Sequence, residues 1–429
     1  MFSAEVLVAA FLTVMLVASI ISARARVPYT LLLVILGIAL SAVSSLTFLP
    51  QGTIQQIVSQ MNIFFVGLSG GQQGGLFVGL VVPPLLFEAM IHVRSSDLRA
   101  VIRPSVVLAT IGVIISTLVV GFILWKIAHL PYIVSFLFAA IISPTDVATV
   151  LEVFRNAKVP SRLSTMMDTE AAFNDATGIA VFAIVLASAT LGGVSLASAA
   201  SSFAILSAGG ALIGLVVAFL AELLSSLLSD KLTQTILTIF AVYGSYALAS
   251  SVGVSGLIAV AVVGLYFGNF TARSTLSSST RETINLFWEV AAFLGNSIAF
   301  LFIGFSTDIF RLAASIIPIL LAYLAVTAAR AASVYPILSI FSRFGEKIPL
   351  KWRNVSMLGG MRGALSIALV VSIPATAVSV SDESQLTTLV LGVTFISISL
   401  QAALLFRYIK TRFPAEQQAS AESLNARLS

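Results

Sequence analysis

The sequence predicts an all-α polytopic membrane protein of about thirteen transmembrane helices. Three observations carry that expectation. Hydrophobic residues make up 58% of the 429-residue chain and charged ones only 10%, with a mean hydropathy of +1.06, far from the roughly 25% charged content of soluble domains. Apolar runs of about 20 residues, the length that crosses a bilayer as a helix, recur from end to end. The basic residues alternate in the gaps between those runs.

The expected spans cover residues 4–23, 28–47, 75–93, 103–127, 132–154, 163–190, 200–228, 232–251, 254–270, 280–306, 311–343, 350–376 and 385–409. They form one transmembrane domain, 1–412, followed by a short polar cytoplasmic tail, 413–429. The first run has the length of a signal peptide but no basic residue before it. Arg24 and Arg26 follow it instead, which reads as a retained span entering from outside. Between spans 2 and 3, Leu46 to Gly74 carries no charge and is expected to be an external loop with a short interfacial helix. Of the 23 Lys and Arg residues, 19 fall on one side of this scheme and only Lys126 and Arg311 on the other. That bias makes the basic side cytoplasmic, with the N-terminus outside and the C-terminus inside a plasma membrane. The pI near 9.6 therefore reflects topology and not a nucleic-acid partner.

Several chemistries are not indicated. Cysteine is absent, which excludes disulfides, thiol catalysis and cysteine-based metal centres. His92 and His129 lack metal-ligand spacing, and the glycine pairs match no phosphate-binding loop, so neither zinc nor a nucleotide is expected. No enzyme activity and no cofactor are anticipated.

Two spans should be interrupted. Span 5 contains Ser143-Pro144-Thr145-Asp146, and span 12 contains Gly359-Gly360-Met361-Arg362-Gly363. Proline removes a backbone donor, and three glycines in five residues weaken a helix. Unwound backbone at membrane depth needs protein or a water-filled cavity around it, and paired broken helices mark transporter binding sites. Both breaks fall in the fifth span of a six-span half, if span 7 is a linker, which suggests an inverted repeat. A broken helix exposes dipole ends, and Asp146 and Arg362 have the signs to compensate them.

Span 6 carries the anomalous carboxylates, in Asp168-Thr-Glu170-Ala171-Ala-Phe-Asn174-Asp175. An ionisable group at the bilayer centre costs about 2.5–3.5 kcal/mol on insertion scales and is usually functional. Ala171 and Asp175 share one helix face, Glu170 and Asn174 the next. If Asp175 faces Asp146, the two carboxylates, Thr145 and freed carbonyls form an all-oxygen site suited to a hard cation such as Na⁺. Mutual repulsion in low dielectric favours protonation of the empty site, so proton and cation compete for one place. Glu170 is expected to pair with a buried arginine, Arg330 or Arg362, with fixing the helix packing as the structural reading of that pair. Glu88 and Glu289 are read as pairing or snorkelling near span ends, with a place in an ion funnel as the alternative; Glu222 is read as snorkelling. A cation channel lacks a repeated filter sequence here. An intramembrane aspartyl protease lacks its Gly-x-Gly-Asp motif, since Asp175 follows Phe-Asn. A proton-coupled symporter lacks a large aromatic and polar pocket.

Taken with Arg26-Val-Pro-Tyr-Thr30, Pro83-Pro-Leu-Leu-Phe-Glu88, Phe287-Trp-Glu289 and Arg330 ahead of Val334-Tyr-Pro336, these motifs resemble the monovalent cation/proton antiporters of the NhaP and sodium/proton exchanger branch. The resemblance runs from span 2 to span 12 in the family's order. It implies a thirteen-span homodimer whose protomers divide into a dimerisation domain and a moving six-helix core. It implies that Asp175 carries the cation or proton in turn, with Asp146 and the Thr145 backbone beside it, and that Glu170 pairs with Arg330. The Asn174-Asp175 pair implies electroneutral exchange of Na⁺ or Li⁺ for H⁺, with K⁺/H⁺ exchange as the alternative. Ala171 departs from the pattern, because many prokaryotic relatives have a serine there with its hydroxyl near the ion. The short tail also departs from the long regulatory domains of eukaryotic exchangers and implies a prokaryotic form.

Overall fold

The computed structural model describes residues 4–25, 29–45, 74–92, 95–146, 150, 154, 159–191, 196–271, 276–305, 309–346, 348–371, 373 and 377–413. Among them there is no strand. Hydrocarbon offers no hydrogen-bond partner, so a spanning segment must satisfy its backbone within itself, which a helix does. Among the described residues seven helices, counting those that run on through a wide turn as one, are long and apolar enough to cross a membrane.

In chain order the helices are α1 (Ala4–Ala25), α2 (Tyr29–Ser45), α3 (Gly74–Ile91), α4 (Ser95–Val107), α5 (Val113–Lys126), α6 (Tyr132–Ile142), α7 (Ser161–Leu191), α8 (Leu196–Ser225), α9 (Lys231–Ser251), α10 (Gly256–Tyr266), α11 (Ser278–Phe305), α12 (Ile309–Ala314), α13 (Ile316–Arg343), α14 (Leu350–Leu358), α15 (Ala364–Val371), α16 (Val380–Ile396) and α17 (Ala402–Arg412). Wide π-turns join α4 to α5 (Leu108–Gly112) and α16 to α17 (Ser397–Gln401), and a third, Phe267–Thr271, extends α10.

Three described helices begin five or more residues from the expected span starts: at Ser95 for 103, at Ile316 for 311 and at Val380 for 385. The helix expected from 103 already begins at Ser95, because hydropathy marks the apolar stretch and not the turns that continue into the polar interface. The span expected from 311 begins at Ile316, after the short α12 and a turn at Ser315, whose N–H donates to Arg311 O at 3.0 Å. The expected loop at 46–74, except Gly74, which begins α3, nearly all of span 5 after Asp146 and the tail beyond Phe413 lie outside the described residues.

Two sets of helices pack mainly among themselves. One contains α2, α3 and α8 to α11; the other contains α4 to α7 and α13 to α17. In the first set, α2 and α11 cross at Gly37 and Gly304, where a Cβ on Gly37 would lie 2.5 Å from Leu301 O. Association in lipid relies on such close backbone contact and not on hydrophobic burial. Phe87 of α3 packs on Trp288 of α11 with ring centroids 4.6 Å apart, and the Trp288 indole donates to Thr238 Oγ1 at 2.9 Å. The second set has its own buried cluster at the end carrying the basic loops, built from Phe154, Met166, Val334, Met361, Leu405 and Phe413 among others. It holds both helix breaks.

Candidate functional site

The two breaks are those anticipated, and they cross. Helix α6 ends at Ile142 with Ser143 as its still-helical cap, its N–H donating to Ala139 O at 3.1 Å, and no helix continues through Pro144, Thr145 and Asp146. Helices α14 and α15 are separated by the unwound stretch 359–363. The two unwound segments bond directly, the Asp146 N–H donating to Met361 O at 2.8 Å, and the flanking half-helices are tied as well, the Ser366 hydroxyl of α15 donating to Ile141 O of α6 at 3.0 Å.

Each charge at the crossing sits at a dipole end of opposite sign. Arg362 is buried, and its Nη1 donates to the carbonyls of Ser143 (2.5 Å) and Pro144 (2.9 Å), the negative end of α6. The Asp146 carboxylate rests against Gly363, immediately before α15, where any Cβ would overlap it. Gly363 is thus required for the close approach of the carboxylate to the positive end of that half-helix.

Helix α7 lies against this crossing, with Gly178 seated on the Pro144 ring so closely that a Cβ would collide with it. The polar faces of α7 then separate. The Asn174 amide donates to Thr145 Oγ1 at 2.7 Å, leaving that hydroxyl free to donate elsewhere. Asp175, one turn after Ala171 on α7, is half-buried. Ala171 is buried at 7% exposure and brings no oxygen. Glu170 pairs with Arg330 of α13, whose guanidinium lies against Gly360 of the second break. The choice of arginine, open from the residues alone, is settled: Arg330 takes Glu170 and also donates to Ser356 O at 2.9 and 3.3 Å, while Arg362 serves the α6 carbonyls. Asn174 Oδ1 and Glu170 Oε2 are buried without a hydrogen-bond partner among the described residues. What the arrangement provides is hard oxygen and one exchangeable charge, suited to a proton or a small monovalent cation. Among the described residues no cluster of three His, Asp or Glu side chains is placed to hold a resident metal ion.

A cavity of about 480 Å³ opens between the two helix sets at the basic end. Its lining includes Glu88 and His92 from α3, Glu289 from α11, and Ser164 and Asp168 from α7. Sequence reading favoured independent roles for Glu88 and Glu289; the structure brings them to one cavity with Asp168. Asp168 lies seven residues, two turns, before Asp175 on the same face of α7. Glu222, read as snorkelling, instead accepts a hydrogen bond from Tyr266 Oη at 2.6 Å. Sequence reading missed Ser397 and Gln401 behind Arg362; the available signal was a glutamine in an otherwise apolar span.

Comparison with known proteins agrees with this geometry. Residues 10–411 match the family described as sodium/hydrogen exchanger, transmembrane. The Na⁺/H⁺ antiporter NhaS2 of Synechocystis sp. is 31% identical over 395 residues, 91% of this chain and 68% of that protein. The Na⁺/H⁺ antiporter ApNhaP of Aphanothece halophytica is 34% identical over 380 residues, 88% and 68% of the two chains. The solved structure of the sodium proton antiporter MjNhaP1 from Methanocaldococcus jannaschii superposes with a TM-score of 0.74, covering 95% of this chain and all of that one at 24% identity, a likeness of fold.

Proposed function

The chain belongs to the sodium/hydrogen exchanger family, and from that membership we propose that it is a secondary antiporter exchanging cytoplasmic Na⁺ (or Li⁺) for external H⁺. The observation that supports the site assignment is the seat of α7, the helix that carries Asp175, on the Pro144 ring beside Asp146, at the crossing of two broken helices. Asp175 binds either ion. Asp146, anchored at the N-terminus of α15, and Thr145, oriented by Asn174, stand beside it. Proton and cation cannot both neutralise one carboxylate, so arrival of one releases the other.

Alternating access follows from the two helix sets. The cavity lined by Glu88, Glu289 and Asp168 draws cations toward α7 from the cytoplasm. Movement of the set containing the breaks past the set containing α3 and α11 then exposes Asp175 to the other side. Each cycle carries one cation against one proton and moves no net charge. The protein acts as a homodimer in the plasma membrane, N-terminus outside and C-terminus inside, with the lipid bilayer as its surroundings and neither nucleotide nor nucleic acid as partner.

Purified protein in proteoliposomes is expected to acidify or alkalinise the lumen according to the imposed Na⁺ gradient. Wild-type flux in Asp175→Asn would overturn the site assignment. An imposed potential that drives exchange at equal ion gradients would overturn the one-for-one stoichiometry. Ala171 favours a second reading of the cargo alone. A site with fewer protein oxygens demands less dehydration and accepts K⁺, which equal flux on replacing NaCl by KCl would establish.

A further inference from the structure

Helices α16 and α17 form one rod except at the wide turn Ser397–Gln401, whose residues Ser397, Ile398 and Gln401 are buried. Such turns insert an extra residue into a helix, disturb its bonding and recur at functional sites. Here the turn aims two polar side chains at the span 12 break. The Arg362 backbone N–H, in an unwound segment with no helical acceptor, donates to Ser397 Oγ at 3.2 Å. The Ser397 hydroxyl in turn donates to Gln401 Oε1. Ser399, in the same turn, has a buried hydroxyl with no hydrogen-bond partner among the described residues.

We propose that Ser397, oriented by Gln401, is a positioning residue for the cation site, acting through the backbone of Arg362 and Gly363. The inference rests on the antiporter reading above. Two routes lead from Ser397 to the site. One is the Arg362 guanidinium, which holds the Ser143 and Pro144 carbonyls directly before Thr145. The other is Gly363, the next residue, on which the Asp146 carboxylate rests. Losing the Ser397 acceptor leaves a buried N–H unpaired, and the unwound stretch shifts to find another partner. Both the guanidinium and the Asp146 seat shift with it. Gln401 touches neither, so its contribution passes entirely through the Ser397 hydroxyl.

The test is Na⁺-driven proton flux in proteoliposomes across a range of Na⁺ concentrations, alongside folded yield and thermal stability in detergent. Ser397→Ala is expected to raise the half-saturating Na⁺ concentration about tenfold, equivalent to about 1.4 kcal/mol, with the maximal rate and folded yield largely kept. Ser397→Thr, which retains the hydroxyl, restores it to within about twofold, and Ser399→Ala leaves it unchanged. The double variant Ser397→Ala/Gln401→Met is expected to be no worse than Ser397→Ala. An unchanged half-saturation in Ser397→Ala overturns the proposal, as does a loss of yield and stability that Ser397→Thr fails to rescue. Absence of Na⁺-driven flux in the wild type refutes the antiporter reading itself. Wild-type flux with an indifferent Ser397→Ala refutes the positioning role alone.

Discussion

Replacing Glu170 with leucine leaves the Arg330 guanidinium buried at 5% exposure with no anion. Removing one partner of a buried ion pair costs about 3–5 kcal/mol, because the surviving charge keeps its desolvation penalty and loses its compensation. The reverse change, Arg330→Met, falls at the upper end of that range. It strands the Glu170 carboxylate, one of whose oxygens already lacks a partner, and it also removes two hydrogen bonds to Ser356 O. Arg330 is further boxed in by Gly360, where a Cβ would stand 2.7 Å from Nε, so the pair fixes α7, α13 and the unwound stretch together. Each single variant is therefore expected to lose most of its folded yield and to denature well below the wild type in a detergent melt. The double variant Glu170→Leu/Arg330→Met removes both charges, and much of the stability should return, less about 1 kcal/mol for each lost bond to Ser356. If the pair is structural, the recovered double variant still exchanges Na⁺ for H⁺. A double variant as unstable as the two single losses added together would refute the pairing argument; a stable one without transport would refute the structural role.

Gly363→Ala is expected to lower cation affinity at least tenfold while the protein still inserts, since the new methyl displaces the Asp146 carboxylate; unchanged Na⁺ dependence would show that the seat is not needed. At the α9 N-terminus, Asp230 accepts from the Thr233 N–H at 2.8 Å and from its hydroxyl at 3.0 Å, and these bonds, the backbone one first, hold its carboxyl below the usual range. A carboxyl depressed in the folded state stabilises above its unfolded pKa, and that contribution disappears as pH falls through the folded pKa. Asp230→Ala should accordingly lower the melting temperature at neutral pH and have no effect once the medium is acid enough to protonate Asp230 in the folded chain. Neutralising Glu88 and Glu289 together is expected to slow Na⁺ uptake at low ionic strength more than at high, because salt screens the attraction that the cavity exerts; a salt-independent effect would locate their role elsewhere.

Much of this protein is legible along the chain. Hydrocarbon forbids unpaired backbone, so apolar length alone locates helices, and anything that violates the rule stands out: Pro144 and the glycines at 359–363 as breaks, Asp146, Glu170, Asp175, Arg330 and Arg362 as charges with something to compensate. Composition also shows that these charges need partners of opposite sign, but not which. Arg330 and Arg362 are equivalent on that criterion, and only the reach of the Arg330 side chain from α13 to Glu170 on α7 assigns Glu170 to the first and leaves the second on the α6 carbonyls. Glu88, Glu289 and Asp168 come from three helices far apart in sequence, so their shared cavity exists only once the helix sets are assembled. Ser397 and Gln401 are less legible still. A serine in an apolar span is unremarkable, and its value here depends on a single wide turn that rotates the helix face toward a break some 35 residues earlier. What each residue requires is local chemistry and is written in the sequence. Which residue satisfies the requirement is a matter of distance, and the tertiary structure decides it.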